Sequence, residues 1–381
     1  MGRSAAARAL SAPYAVGFAE SVDDAEIRQL LRETEFAGEV RLSLEREPDS
    51  NVSSAIEGDV HGTVVARDSA TGALAGIASR SVRDVFINGR PARVGYLGQL
   101  RISPAYRSRR ELLEAGFDFC RMLHDREPDC SLYLASVVAD NEQARRLLSR
   151  RAKGWPRFEP IDSLTSLAIP VGRVRRNKPS RVVVRRGTPA SIADIIECLS
   201  RNGAALQFYP RWRAADFGSS RLIGLAPSDF MIATRDGRTV GCIACWDQRA
   251  FKQVIVKGYS PRLARLRRVV NLLAPLSGIP RLPREGSPLQ CAYLSHLAVE
   301  RNDDEEVLTA LVAGARQRAL EKGLDYVVLG LSSRSPAFQT TARAFKHRAY
   351  ESVLYVAFWP DGEAAARSLD GRPSYPELAI L

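Results

Sequence analysis

The sequence predicts a mixed α/β protein made of two units of one plan. Three observations carry this reading. The chain has 381 residues and is 45% hydrophobic, which is too long for one ordinary core. Strand-like runs alternate with amphipathic helical segments and with Asp-Gly or Asn-Gly turns, so each unit combines an antiparallel meander with helical crossovers. The order of elements also occurs twice. Strand-like YAVGFAE follows Pro13 and strand-like RVVVRRG begins at Arg181, and the turns at Asp68 and Asp236 lie the same 168 residues apart. The expected organisation is a disordered tail over 1–12, a first unit over 13–171, a basic linker over 172–180, and a second unit over 181–381 with an insertion at 258–287. Each unit is expected to be a mixed, mostly antiparallel sheet flanked by helices.

In the first unit, Ser21 with Asp24 three residues on reads as a capping box, and the helix that follows buries Ile27, Leu30 and Leu31. VHGTVVA turns at Asp68–Gly72 into ALAGIASRSV, and Asn88–Gly89 leads into Val94–Ile102. A short basic loop follows, then a helix with Leu112, Gly116, Phe119, Cys120 and Leu123 on one face. Arg107, Arg109 and Arg110 stand at its start, where unpaired N–H groups and the dipole already favour an anion. The segment reads as a phosphate holder; the alternative is a solvated basic turn. Strand SLYLASVV, the helix after Asn141 and strand LTSLAIP complete the unit.

In the second unit, Thr188 before Pro189 reads as a helix cap, with Ile192, Ile195, Ile196 and Leu199 buried behind it. FMIAT turns at Asp236–Gly237 into TVGCIACW. The offset then grows to 195, Leu112 against Val307, because of the segment Gly258–Ser287. After it LQCAYLSHLAV answers ARVGYLGQLRI, the helix over Val307, Leu311 and Ala315 answers the Arg107 helix, and DYVVLGL and VLYVAFW answer SLYLASVV and LTSLAIP. The loop before this helix runs from Glu300 to Glu306 and includes Asp303, Asp304 and Glu305. Carboxylates there satisfy the helix dipole themselves and repel phosphate, so one anion site is expected, in the first unit.

The net charge of +12 favours an acidic partner: a phosphorylated cofactor, nucleic acid or an anionic membrane. The six cysteines are scattered; only Cys242 and Cys245 are close, in a strand-like run, with no histidine at ligand spacing. Buried free thiols and no metal are expected. No apolar run reaches the length of a membrane span, and MGRSAAARALSAP lacks the apolar stretch of a signal peptide, so a cytoplasmic location is expected.

The element order, with a basic loop after the fourth strand, resembles the GNAT superfamily of acyl-CoA N-acyltransferases over nearly the whole chain, as a tandem pair. The family's loop pattern, Arg/Gln-x-x-Gly-x-Gly/Ala, falls on Arg107-Ser108-Arg109-Arg110-Glu111-Leu112. The leading SPAYR fits; Arg110 and Leu112 stand where small residues are usual. Asn141 to Ala144 resembles the family's Asn-x-x-Ala helix, although Asn141 reads equally well as an N-cap. Leu148 replaces the tyrosine that often acts as general acid, so no tyrosine is carried over.

The resemblance implies acetyl-CoA or another acyl-CoA as co-substrate. Its pantetheine arm would run between the fourth and fifth strands, bonded by backbone groups of Leu100, Arg101 and Ile102, with Ala135, Ser136 and Val137 opposite. Arg107, Ser108, Arg109, Arg110, Glu111 and Leu112 would take the pyrophosphate, and Asn141 would adjoin it. His61, opening the second strand, and Tyr96, on the fourth, are the candidates for proton transfer, with Glu57, Asp59 and His296 as the further titratable groups on or before these strands. A lone strand histidine is more often structural.

The expected function is CoA-dependent N-acyl transfer, of acetyl groups, to a small-molecule or peptide amine. The alternatives are a non-catalytic acyl-CoA- or partner-binding module, and a relative of the aminoacyl-tRNA-dependent transferases. The charge suits tRNA, but no long helical arm and no aromatic-basic interleaving support a nucleic-acid partner. A monomer or homodimer is expected. The insertion has three readings: a cover for the second core, a lid on the acyl site, or a peripheral contact with an anionic membrane. Pro275, Pro280 and Pro283 are expected to keep its helix short.

Overall fold

Strand pairing in the computed structural model joins both halves of the chain in one sheet. The structure describes residues 9–11, 13–36, 38–107, 109–126, 130–172, 181–277 and 280–381. The first half runs β1 (Ala9–Ser11), β2 (Tyr14–Phe18), α1 (Asp24–Glu33), β3 (Val40–Glu45), α2 (Ser50–Ser54), β4 (Val60–Asp68), β5 (Leu74–Ile87), β6 (Arg90–Ile102), α3 (Arg110–His124), β7 (Tyr133–Val138), α4 (Glu142–Leu148) and β8 (Arg157–Pro170). The second runs β9 (Val183–Arg186), α5 (Ile192–Gly203), β10 (Tyr209–Pro210), β11 (Phe230–Arg235), β12 (Arg238–Trp246), β13 (Gln253–Tyr259), α6 (Pro261–Ser277), β14 (Cys291–Val299), α7 (Glu305–Glu321), β15 (Tyr326–Ser332), α8 (Pro336–Ala344), β16 (Arg348–Phe358) and α9 (Glu363–Arg367).

The turns form where the Asx-Gly pairs lie. Asn88–Gly89 and Asp236–Gly237 both take positive φ, the geometry that matches the twist of a two-residue hairpin. Alternation along β4 sends Val64 and Ala66 against α3 and Val65 against α1, so the sheet carries helices on both faces. Helix α1 buries Ile27, Leu30 and Leu31, as its spacing predicts. Helix α5 buries Ile195, Cys198 and Leu199, whereas Ile192 and Ile196 stay half-buried. Both capping boxes close 3₁₀ turns ahead of the helices. In the first the pair is Glu20 with Asp23, one residue earlier than Ser21 with Asp24.

Sheet order departs from two separate units. It runs β1-β2-β4-β5-β6-β7-β16-β8-β15-β14-β12-β11-β9. The last strand of the second half, β16, pairs with β7 of the first, and β8 of the first half pairs with β15 of the second. The two exchanged strands pair with each other from Arg348↔Ala168 to Phe358↔Arg157. Residue 171 therefore does not separate two sheets. Hydrophobic pattern specifies that a strand exists, not which edge it joins. Two closing strands of like pattern can trade places within one chain, and the trade leaves no open edge in the middle of the sheet.

Ala9–Ser11 pair with β2, where an unstructured tail was expected; 1–8 and 12, and 173–180 of the expected linker, lie outside the described residues. The insertion reaches back to the first half, because β13 pairs with β3 in a two-stranded sheet. Helix α6 spans 17 residues and runs through Pro275, so it is longer than the prolines suggest. Among the described residues no helix is long and apolar enough to cross a membrane, and no group of three metal-ligating side chains occurs.

Candidate active site

Strands β6 and β7 run parallel through Gly95↔Tyr133 and Tyr96↔Leu134, and their register ends there. The cause of the parting lies in β6. Gly98 pairs with Ser79 and Arg101 with Ile77, so two residues, Gln99 and Leu100, face one on β5. Gln99 takes φ 53°, and the bulge turns β6 away from its parallel neighbour. Between the parted strands lies a cavity of about 400 Å³. Tyr96 to Ile102 form one wall and Ala135 to Val138 the other. Leu112, Gly116 and Cys120 of α3 and Asn141, Ala144 and Leu148 of α4 also border it. The second half supplies Lys252, Tyr293, Leu378 and Leu381.

One end of the cavity leads to the start of α3. No side chain caps this helix, and Arg107, Arg109 and Arg110 are exposed around it. Arg110 Nε bonds Glu114 Oε1 at 2.7 Å along the helix. First-turn N–H groups that no described side chain caps, beside three guanidiniums, are an arrangement whose chemistry favours an anion. Leu112 reaches it only through its backbone, because its side chain is buried with Val16, Val64 and Phe119. Glu111, also in the first turn, is exposed and carries the wrong charge for phosphate. Ser108 lies outside the described residues.

Deeper in, several polar groups are paired, while Ser79 Oγ and Arg101 Nε in the wall have no protein partner among the described residues. The Tyr96 hydroxyl and Ser136 Oγ are 2.8 Å apart across the opening. Burial raises the tyrosine above its ordinary range, so it stays protonated. Gln99 Nε2 donates to Glu57 Oε1 at 2.8 Å, and that buried carboxylate also pairs with Arg46. Lys252 Nζ donates to the main-chain oxygens of Leu381 at 2.8 Å and Ala379 at 3.3 Å. Burial, with Arg46 nearby, pulls its ammonium down to about 8. Burial pushes the Cys120 thiol up to about 11, so at neutral pH it is not a thiolate nucleophile.

The second half has the same backbone and a closed site. Strand β14 pairs with β15 from Cys291 to Leu294 and then bulges, with His296 at φ 54° in the place of Gln99. Here Glu377 Oε2 accepts the His296 backbone N–H at 2.7 Å. Trp212, Phe230 and Trp246 fill the space around the imidazole, with ring centroids 4.1, 5.3 and 5.9 Å away. Desolvation holds this histidine neutral, pulled down to about 3. Helix α7 caps itself: Asp304 accepts from the Val307 N–H at 3.1 Å, Arg235 pairs with Asp304 and Glu306, and Arg343 with Glu305.

Of the residues singled out in the sequence, Tyr96, Leu100, Arg101, Ile102, Leu112, Ser136 and Asn141 border the cavity. Asn141 also caps α4, accepting from the Ala144 N–H at 3.0 Å. His61 does not border it. It shares the Val65 face of β4, and its Nδ1 lies 3.3 Å from the Gly58 carbonyl oxygen; alternation turns it from the face on which Val64 and Ala66 meet the cleft. Lys252, Tyr293 and the 378–381 segment carry no local motif. Their nearness follows from the contacts between the halves.

No family model and no curated protein matches the chain. Solved structures do. A GCN5-related N-acetyltransferase from Sphaerobacter thermophilus superposes with a TM-score of 0.54 at 13% identity, covering 91% of this chain and 96% of that one. Saccharomyces cerevisiae N-myristoyltransferase with bound myristoyl-CoA gives 0.58 at 12%, covering 91% and 83%. The GCN5-related glucosamine N-acetyltransferase region of a fungal multi-domain GH3 β-N-acetylglucosaminidase gives 0.61 at 14%, covering 92% of this chain and 38% of that one. The bulged, parted strands, the helix that follows them and these similarities together give the chain the fold of the GNAT superfamily.

Proposed function

We propose that the protein transfers an acyl group, acetyl in the first instance, from acyl-CoA to an amine, using one site in the first half of a tandem GNAT arrangement. The observation that carries this is a single cleft leading from an uncapped, arginine-rich helix start to a buried hydroxyl pair. The CoA diphosphate would rest on the α3 N–H groups with Arg107, Arg109 and Arg110 around it, and the pantetheine between Leu100–Ile102 and Ala135–Val137. The bulge at Gln99–Leu100 leaves main-chain groups out of register with β5, available to bond the thioester carbonyl.

The amine nitrogen attacks the carbonyl carbon directly, the C–S bond breaks, and the thiolate leaves with the nucleotide. Cys120, held as a thiol, takes no part as an acyl carrier. The Tyr96 hydroxyl, kept protonated by burial, serves as donor at the reacting centre. Lys252 is the group in the cavity wall whose pKa lies nearest the working pH, and in its neutral form it can accept the amine proton. Transfer should therefore rise with pH through about 8.

Release of free thiol from acetyl-CoA across a panel of amines tests the reading. Turnover with at least one amine, reduced about 100-fold or more in Tyr96→Phe with KM for acetyl-CoA unchanged, is expected. CoA binding without turnover on any amine would instead favour a binding module, which the replacement of the usual acid by Leu148 would explain.

A further inference from the structure

Helix α6 lies over β13 and shows solvent a face unlike any other among the described residues. Leu263, Arg267, Val270 and Ala274 turn inward, half-buried or buried. Leu266, Val269, Leu272 and Leu273 turn outward and are 47, 53, 77 and 50% exposed. Arg262, Arg265 and Arg268 are exposed on the same outward side, and make no ion pair among the described residues. No acidic residue occurs from Gly258 to Arg284. Elsewhere on the surface arginines are commonly paired, as Arg235, Arg318 and Arg334 are.

We propose that the outward face of α6 docks on an anionic lipid surface. Four apolar side chains that no described residue covers are interleaved with cations that no described residue neutralises. That combination fits the boundary between acyl chains and negative headgroups, where the leucines gain an apolar phase and the guanidiniums meet phosphates. A second copy of this chain is a poor occupant, because two such faces would set arginine against arginine. At 17 residues the helix offers roughly 25 Å of contact. Its neighbours β13 and β3 adjoin Lys252 and contain Leu44, both in the cavity wall, so docking would bring the membrane beside the acyl-transfer half.

Flotation of the full chain with vesicles of phosphatidylcholine and phosphatidylserine, against phosphatidylcholine alone, tests this. Binding to the anionic vesicles only, weakened as salt rises from about 50 to about 500 mM, is expected. Arg262→Gln/Arg265→Gln/Arg268→Gln should weaken partitioning roughly 100-fold, and Val269→Ser/Leu272→Ser at least tenfold. Both sets alter solvent-facing positions, and acetyl-CoA binding and thermal unfolding monitor the fold. Three results would each overturn the proposal: no binding to anionic vesicles, equal binding to neutral ones, or unchanged binding by both variants. Dimerisation of the wild type that the Leu272 variant abolishes would overturn it too, assigning the face to a second copy.

Discussion

Helix α3 opens on Arg107, Arg109 and Arg110 with no side-chain cap, whereas its counterpart α7 opens on Asp304, Glu305 and Glu306 and caps itself. The bulge before each helix differs in the same sense. At Gln99 it borders a cavity; at His296 it is sealed by the Glu377 carboxylate and three aromatic rings. The same backbone thus occurs twice, once beside an open cavity and once sealed. What separates them is whether the orphan N–H groups are satisfied from within. A helix start that supplies its own anion has no use for a ligand's, and one that surrounds itself with cations needs one.

The largest effect should come from removing those cations. Arg107→Ala/Arg109→Ala/Arg110→Ala is expected to weaken acetyl-CoA binding by 100-fold or more, at roughly 1.5–3 kcal/mol per charge-assisted contact before non-additivity. Asp304→Asn/Glu305→Gln/Glu306→Gln should create no second site. Calorimetric titration of both variants reads the contrast, and CoA binding gained at α7 would break it.

The next effect concerns pH. His296 has an ordinary value of 6.5 and is pulled to about 3 in the fold. Below 6.5 the unfolded chain takes a proton that the folded chain refuses, so this residue's contribution is whole above 6.5 and is lost as pH falls towards 3. Glu377 acts in the opposite sense. Its carboxyl is pushed from 4.5 to about 7, so its contribution is whole below 4.5 and is lost as pH rises through 7. Between 4.5 and 6.5 the two offset each other. His296→Gln, which copies the first half's residue, should leave the Glu377 trend alone. Relative to wild type the variant should gain about 2–3 kcal/mol between pH 6.5 and 4.5 in urea unfolding. Parallel pH curves for the two proteins would contradict the neutral, sealed imidazole.

A smaller effect distinguishes the caps. Asp304→Ala removes the bond to the Val307 N–H and one partner of Arg235, and should cost about 1–2 kcal/mol. Arg109→Asp gives α3 the cap that α7 has. It should raise stability by about 0.5–1 kcal/mol while weakening CoA binding. A variant that binds CoA as well as wild type would separate capping from anion binding.

The sequence reading of these halves succeeded where the signal is local. Asn88–Gly89, the face of α1 and the opposite charges at Arg107 and Glu305 are legible because turn geometry, helical period and dipole chemistry act within a few residues. The exchange of β8 and β16 was not legible, since both strands have patterns that fit either edge. His61 lies off the cavity wall because strand alternation, counted back from Val65, turns it from the cleft. Lys252 was missed because burial and the 378–381 segment, not any motif around it, bring it to the wall.

The most direct test of a single working half is a crystal structure of the protein with CoA. One molecule per chain is expected, with its diphosphate on the first-turn N–H groups of α3 among Arg107, Arg109 and Arg110, its pantetheine between β6 and β7, and nothing at α7. A diphosphate at the start of α7, or a nucleotide bound away from the parted strands, would contradict the account.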